Sequence, residues 1–216
     1  MKLSQALRTT GAIRSFTDEP VDDATLSAVL ETARFAPSGG NRQPWRVAVV
    51  RNPALRRELA DLMQPVWNQY VAIRNTGATP FAYGSTIDVQ PIESPNPLLS
   101  GIESVPVVLA IAANMHHLAL MDGELERPPI SGGASIYPFC WNLLLAAREH
   151  GLGGVITTFL GRVEPAAAPL LHLPDHHALA ATIFLGHPVK QLTKLTRQPV
   201  SAFATVDTFD GEAFGD

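Results

Sequence analysis

Hydrophobic and polar positions along this chain fall into short blocks, with helical spacing and continuous apolar runs taking turns. Residues 3–10 read as a short helix ending near Gly11. After Pro20, the residues Leu26, Val29, Leu30 and Ala33 recur at helical spacing and predict one buried face. Asp22 or Asp23 is placed to cap that helix, and both charges suit its N-terminal dipole. Trp45–Arg51 has little polar alternation, the pattern of an interior strand. Asn52-Pro53 then supplies a cap and a proline at the first helical position. Leu55, Leu59, Leu62 and Met63 face inward from the helix that follows, with Pro65 predicted to kink it. Val105–Asn114 reads as a second buried strand.

The second half repeats the alternation. Ser131–Gly151 is predicted as the central helix, and Pro138 within it means separate first turns or a bend. Phe139, Cys140, Trp141 and Leu143–Ala147 leave that helix little polar face, so it needs cover on several sides. A subunit interface would supply that cover more readily than one domain of this size. Gly151 suits the C′ position that ends the helix. Gly153 and Gly154 open the strand G-V-I-T-T-F and are expected to leave backbone N–H groups uncovered for a ligand. Pro165–His172 reads as a short helix, Ala178–Leu185 as a further strand, and Lys190, Lys194 and Arg197 as part of an extended tail. From about Arg74 to Gly101 the pattern dissolves into glycine, proline and small polar residues around Phe81, Tyr83 and Ile87. A segment of that kind is a functional loop, such as a lid, or a disordered excursion.

The chemistry concentrates in Ala36–Trp45, A-P-S-G-G-N-R-Q-P-W. Pro37 stops the preceding helix. Gly39 and Gly40 permit positive φ and close backbone approach. Ser38, Asn41 and Gln43 add short arms that both donate and accept hydrogen bonds. A flat ring with a polar edge would suit such a loop, and so would an ordinary helix-to-strand turn. Arg8 and Arg14 flank the flexible T-T-G-A-I and could converge on one anion.

Composition narrows the classes. At 216 residues and 46% hydrophobic content the chain fits a single domain, 1–216, with a full core. The formal charge of −4 argues against nucleic acid as the main partner. One cysteine, Cys140, precludes an internal disulfide and suits a reducing cytoplasm. No apolar run reaches the length of a membrane span, and a cytoplasmic protein is expected. His116-His117 and His176-His177 lack ligand partners at helical spacing, so no metal site is expected.

The octapeptide S-G-G-N-R-Q-P-W, after a helix ending A-R-F-A-P, resembles the flavin-contacting loop of the FMN-dependent nitroreductase family. R-S-F at Arg14–Phe16 and G-L-G-G at Gly151–Gly154 fall where that family has matching segments. The likeness spans roughly residues 4–64 and 103–200. It implies an α+β fold, a mixed sheet flanked by helices with an extended C-terminal arm, and a candidate lid insertion at about 74–101. It also implies a homodimer with two FMN sites at the interface and the C-terminal segment wrapped around the partner. FMN phosphate would be held by Arg197 with Arg8 or Arg14. Ser38, Gly39, Asn41 and Gln43 would hold the ribityl chain and ring edge, and a backbone N–H among Gly153, Gly154 and Val155 would face N5. Where resembling proteins have a tighter basic-basic-Ser cluster, this chain has Thr10, Gly11 and Ala12, so Arg8 stands in as the substitute. Arg14 is left facing either the phosphate or the pyrimidine edge.

The implied activity is two-electron, hydride transfer from NADH or NADPH through flavin N5 to a small electron-poor acceptor, a nitroaromatic or quinone, in a ping-pong cycle. The chemistry would be the cofactor's, with no residue marked as catalytic. Other flavin enzymes on the same scaffold compete with this reading: a dehydrogenase, a reductive dehalogenase or a flavin-cleaving enzyme. So does a non-catalytic flavin-binding or storage protein. No strand leads into G-x-G-x-x-G, which sets aside a doubly wound dinucleotide fold.

Overall fold

A computed structural model describes residues 1–215. Helices α1 (Leu3–Thr9) and α2 (Asp23–Ala33) lead into strand β1 (Trp45–Val49). Helix α3 (Pro53–Asn75) and the single turn α4 (Pro97–Ser100) precede β2 (Val107–Asn114). Then come α5 (Tyr137–Glu149), β3 (Gly153–Thr157), α6 (Phe159–Arg162), α7 (Glu164–Leu170) and β4 (His177–Gly186). The four strands lie in the order β1-β2-β4-β3, and every neighbour pair is antiparallel. A lone parallel bridge joins Ala12 to Gly154 along the outer side of β3.

Helices cover both faces of the sheet. On one face α2 and α5 pack over Val107, Leu109, Ile111 and Ala113 of β2, and Trp45 stacks flat on Phe139 at 4.8 Å. On the other face, α3, α4, α6 and α7 pack over Val108, Ala110 and Ala112. Burial on both sides explains the uninterrupted apolar run of β2. No helix is long and apolar enough to cross a membrane among the described residues.

Local chemistry places the ends of the elements. Asp22, rather than Asp23, caps α2: its carboxylate accepts from Thr25 N at 2.6 Å. Asn52 does the same for α3 through Ala54 N and Leu55 N. Gly151, at φ +77°, ends α5 as expected: its N–H donates to Arg148 O and Leu152 N–H donates to Ala147 O. Pro138 sits in the first turn of α5, and a separate 3-10 turn, Ser131–Ser135, precedes it.

Three expectations change. β1 is an edge strand, not an interior one; it pairs only with β2, and Arg46, Ala48 and Val49 are exposed. Pro65 lies within α3, which continues ten residues beyond it with Val66 and Val71–Ile73 buried. Leu59 and Met63 are buried on that helix, while Leu55 and Leu62 are only half-buried. Finally, α5 is largely covered by α2 and by the sheet within one chain. Tyr137, Trp141 and Leu145, four residues apart on one stripe, keep an open side, as do Pro138, Asn142 and the polar end at Arg148 and Glu149.

Candidate functional site

The fold separates the predicted site residues into three places. The loop before β1 forms the first. Gly40, Asn41 and Gln43 all have positive φ, at +60°, +52° and +48°, a rare conformation for the two non-glycine residues. Gly39 does not share it; its N–H instead donates to Ser135 Oγ at 3.0 Å, which ties the loop to the turn ahead of α5. The Ser38 hydroxyl accepts from Gln43 N at 3.0 Å, and the Gln43 amide donates to Asn41 at 3.3 Å. The side chains of Asn41 and Gln43 remain on the exposed surface. Two non-glycine residues held at positive φ cost stability, and such outliers gather at binding sites.

Arg8 and Arg197 form the second place. With Lys194, Leu7, Thr193 and Leu195 they line one cleft of about 580 Å³. Among the described residues this lining holds three cations and no carboxylate, a composition suited to a polyanionic group such as phosphate. The Thr10 hydroxyl, two residues beyond Arg8, is buried without a hydrogen-bond partner.

Arg14 marks the third place, and it does not line the Arg8 cleft. Ile13 N–H donates to Gly154 O at 2.8 Å, which fixes the 12–14 segment beside β3 and puts Arg14 over the strand's far half. There it lines a cleft of about 460 Å³ with Ile156, Thr157, Thr158, Asn96 and Arg74, closed by Trp67, Tyr70 and Phe159. The sequence reading missed this group. Its one legible signal was Asn96-Pro97, which repeats the Asn52-Pro53 start and likewise caps a helix, α4. No carboxyl, imidazole or thiol lines this cleft.

Gly153 and Gly154, expected to leave backbone N–H groups uncovered for a ligand, have a packing role in the fold. A Cβ on Gly153 would lie 2.7 Å from Ile13, and one on Gly154 would lie 2.4 Å from Leu185 and 2.5 Å from Phe184 O. These glycines exist so that the N-terminal segment and α5 can close on the sheet. Gly153, Gly154 and Val155 are all buried, and the open edge of β3 starts two residues later, at Ile156. Cys140 is buried, which pushes its thiol up to about 12 and leaves it inert at neutral pH. Among the described residues, no group of three His, Cys, Asp or Glu side chains could hold a metal ion.

Strand register sets the distance between these places. Trp45 is level with Ala113 of β2, while Thr157, in the β3 cleft, pairs with Thr182, which is level with Ala110. Three residues along the sheet and three strand spacings across it separate the end of the loop from the β3 cleft by roughly 18 Å.

Comparison with known proteins agrees with this architecture. The nitroreductase family matches residues 7–187 of the chain. A 5,6-dimethylbenzimidazole synthase of Rhodobacter capsulatus is 33% identical over 189 residues, covering 86% of this chain and 83% of that protein. An NADH dehydrogenase of Thermus thermophilus is 26% identical, covering 83% of each. Among solved structures, the NADPH:FMN oxidoreductase from Vibrio harveyi complexed with NAD+ superposes with a TM-score of 0.69 at 19% identity. It covers 96% of this chain and 77% of that one and shares the fold. The chain belongs to the nitroreductase family, a family of oxidoreductases.

Proposed function

We propose that this protein is an FMN-dependent oxidoreductase that takes two electrons from NADH or NADPH and gives them to a small electron-poor acceptor, a nitroaromatic or a quinone. One observation carries the reading: a cationic cleft and an amide- and aromatic-lined cleft lie on the N-terminal segment that flanks β3. The donor set fits FMN. Arg8, Lys194 and Arg197 would hold the phosphate. Arg14 and Asn96 would hold the polar edge of the ring, and Thr157–Phe159, rather than Gly153–Val155, would present the backbone beneath it. FMN, when bound, supplies the two-electron relay between donor and acceptor. The chain's part is to hold and desolvate: Trp67, Tyr70 and Phe159 exclude water, and the Arg14 charge favours the electron-rich form of whatever lies against it. Protons would come from water, because among the described residues no carboxyl, imidazole or thiol lines the cleft.

The same reading makes the protein a homodimer. Ser38, Gly39, Asn41 and Gln43 of one copy would reach the β3 cleft of the other, since within one chain the two places lie at opposite edges of the sheet. The uncovered apolar side chains suit such an interface. Phe35, Ile130, Phe203 and Phe214 are each at least 60% exposed, and edge strand β1 is open to a further strand.

The purified protein should be yellow, and both NADH and NADPH should be tried for bleaching it; a colourless protein that takes up no FMN refutes the reading. Mixing a Gln43→Ala variant with an Arg14→Ala variant, each weak in FMN binding, tests the shared site. Exchange of subunits should restore roughly a quarter of the sites, since half of the dimers are mixed and each has one intact site. No recovery would put both residues in one chain's site.

The 33% identical relative favours a second reading, in which this protein also makes 5,6-dimethylbenzimidazole. Incubation with reduced FMN in air, followed by chromatography for that product, decides between the two.

A further inference from the structure

The β3 cleft continues past Tyr70, Thr158 and Phe159 into a smaller one lined by Val66, Pro80, Phe81 and Arg162. Their shared wall is aromatic. Trp67 and Tyr70 stack at 5.7 Å with their planes 9° apart, and Phe159 meets both nearly edge-on at 6.2 and 6.3 Å. Phe81 leans on Tyr70 at 6.4 Å and carries the Arg162 guanidinium over its face at 4.0 Å. Phe81 does so at φ +56°, where a bulky residue is seldom found, and such strain persists only where the surroundings enforce it.

Charge at this wall is unbalanced. Arg34, Arg51, Arg57 and Arg127 each have a carboxylate partner, but among the described residues Arg14, Arg74 and Arg162 have none within ion-pairing distance. Arg14 is accounted for by the polar edge of the flavin. Arg74 and Arg162 remain as two cations beside a flat apolar wall, an arrangement of no use to a neutral ring.

We propose that these joined clefts hold the electron acceptor, and that the acceptor is an aromatic anion, a ring bearing a carboxylate or a similar charged group. Its ring lies along Trp67, Tyr70 and Phe159, and Arg74 and Arg162 read its charge. The acceptor role rests on the FMN reading above. With 4-nitrobenzoate as the probe, NAD(P)H and one proton from water reduce the nitro group to nitroso and water, leaving NAD(P)+.

The test compares 4-nitrobenzoate with 4-nitrobenzamide, which keeps the ring and the nitro group but is neutral. Calorimetric titration of the FMN-loaded protein without donor should show tighter binding of the benzoate. Arg74→Gln and Arg162→Gln should each cut that preference by about tenfold, as loss of one charge-assisted contact implies. Arg162→Lys should keep most of it. In turnover, the same ratio should appear in KM rather than kcat. Equal binding of the two compounds by the flavin-loaded parent protein overturns the anion preference alone. If the variants raise the KM for the dinucleotide more than for the benzoate, the cations read the donor's phosphates and the proposal fails. A protein that holds no FMN overturns the flavin reading, and the acceptor role with it.

Discussion

At the Trp45 corner of the sheet the backbone carries the chemistry; at the β3 corner the side chains do. The loop before β1 is strained at Asn41 and Gln43, exposed over Gly39–Gln43, and tied down mainly by Ser135 and its own hydrogen bonds. The β3 corner has ordinary backbone. It gathers Arg14, Asn96, Tyr70 and Thr158 from four separate stretches of chain onto one wall. A motif is legible when it is local, so the loop stands out in the sequence and the cleft does not. Neither corner is a site alone, and a second copy of the chain is what would join them.

The largest effect should come from Gly154→Ala, which separates packing from ligand contact at the β3 corner. The new methyl would strike the Phe184 carbonyl and Leu185, and the carbonyl cannot swing away. Overpacking of this kind costs about 1–3 kcal/mol, so Tm should fall by roughly 2–12 °C. If Tm holds and only FMN affinity falls, these glycines belong to the ligand, as the sequence first suggested.

Arg197→Ala comes next. It removes one of three cations from the phosphate cleft and leaves the fold intact, since its guanidinium bonds only to Thr196 O. One charge-assisted contact is worth about 1.5–3 kcal/mol, so FMN should bind about ten- to a hundredfold more weakly in a fluorescence titration. Unchanged affinity would remove Arg197 from the site. It would also leave Arg8 without its expected partner.

How much was readable follows from how far each signal reaches. Asp22, Gly151 and the Asn52-Pro53 start were fixed by residues within one turn, and the structure agrees with each. The burial of β2 was legible because both faces need apolar residues. β1 carries a similar run, but whether a strand is central or at the edge depends on its neighbours, and no local pattern encodes that. Gly153 and Gly154 were read as ligand glycines because a small residue looks the same whether it admits a ligand or Ile13. Asn96 and Thr157–Phe159 carry no periodicity, and only the fold brings them to Arg14.

The segment expected to form a lid also divides. Its end is pinned along α3: Gln69 donates to Val89 O, Gln64 donates to Ser94 O, and Trp67 donates to Pro95 O. Between Thr79 and Asp88 the holds are Phe81 on Arg162 and Tyr83 on Glu126 O. Replacing 79–88 with a short Gly/Ser linker should leave FMN bound and change the acceptor's kinetic constants several-fold. Parental constants for every acceptor tried would show that the stretch covers nothing.

The smallest effect concerns what braces each corner against acid. Behind the β3 corner, Glu103 follows α4 and pairs with Arg57 of α3; the Arg57 hydrogen bonds hold its carboxyl at about 2, against an ordinary 4.5. Behind the loop corner, Asp122 accepts from Ile130 N, Ser131 and Arg127, and lies far below the usual carboxylate range. Both groups are depressed in the fold, so each stabilises it fully above its unfolded value and loses that contribution as pH falls through its folded one. Glu103 should therefore release between about pH 4.5 and about pH 2, before Asp122 does. Glu103→Gln should lower Tm slightly at neutral pH, with the gap from the parent closing across that window. Salt should shrink the gap as well, because the pair is exposed. If the gap is as wide at the acid end as at neutral pH, Glu103 acts through packing, and the acid response of the β3 corner originates elsewhere.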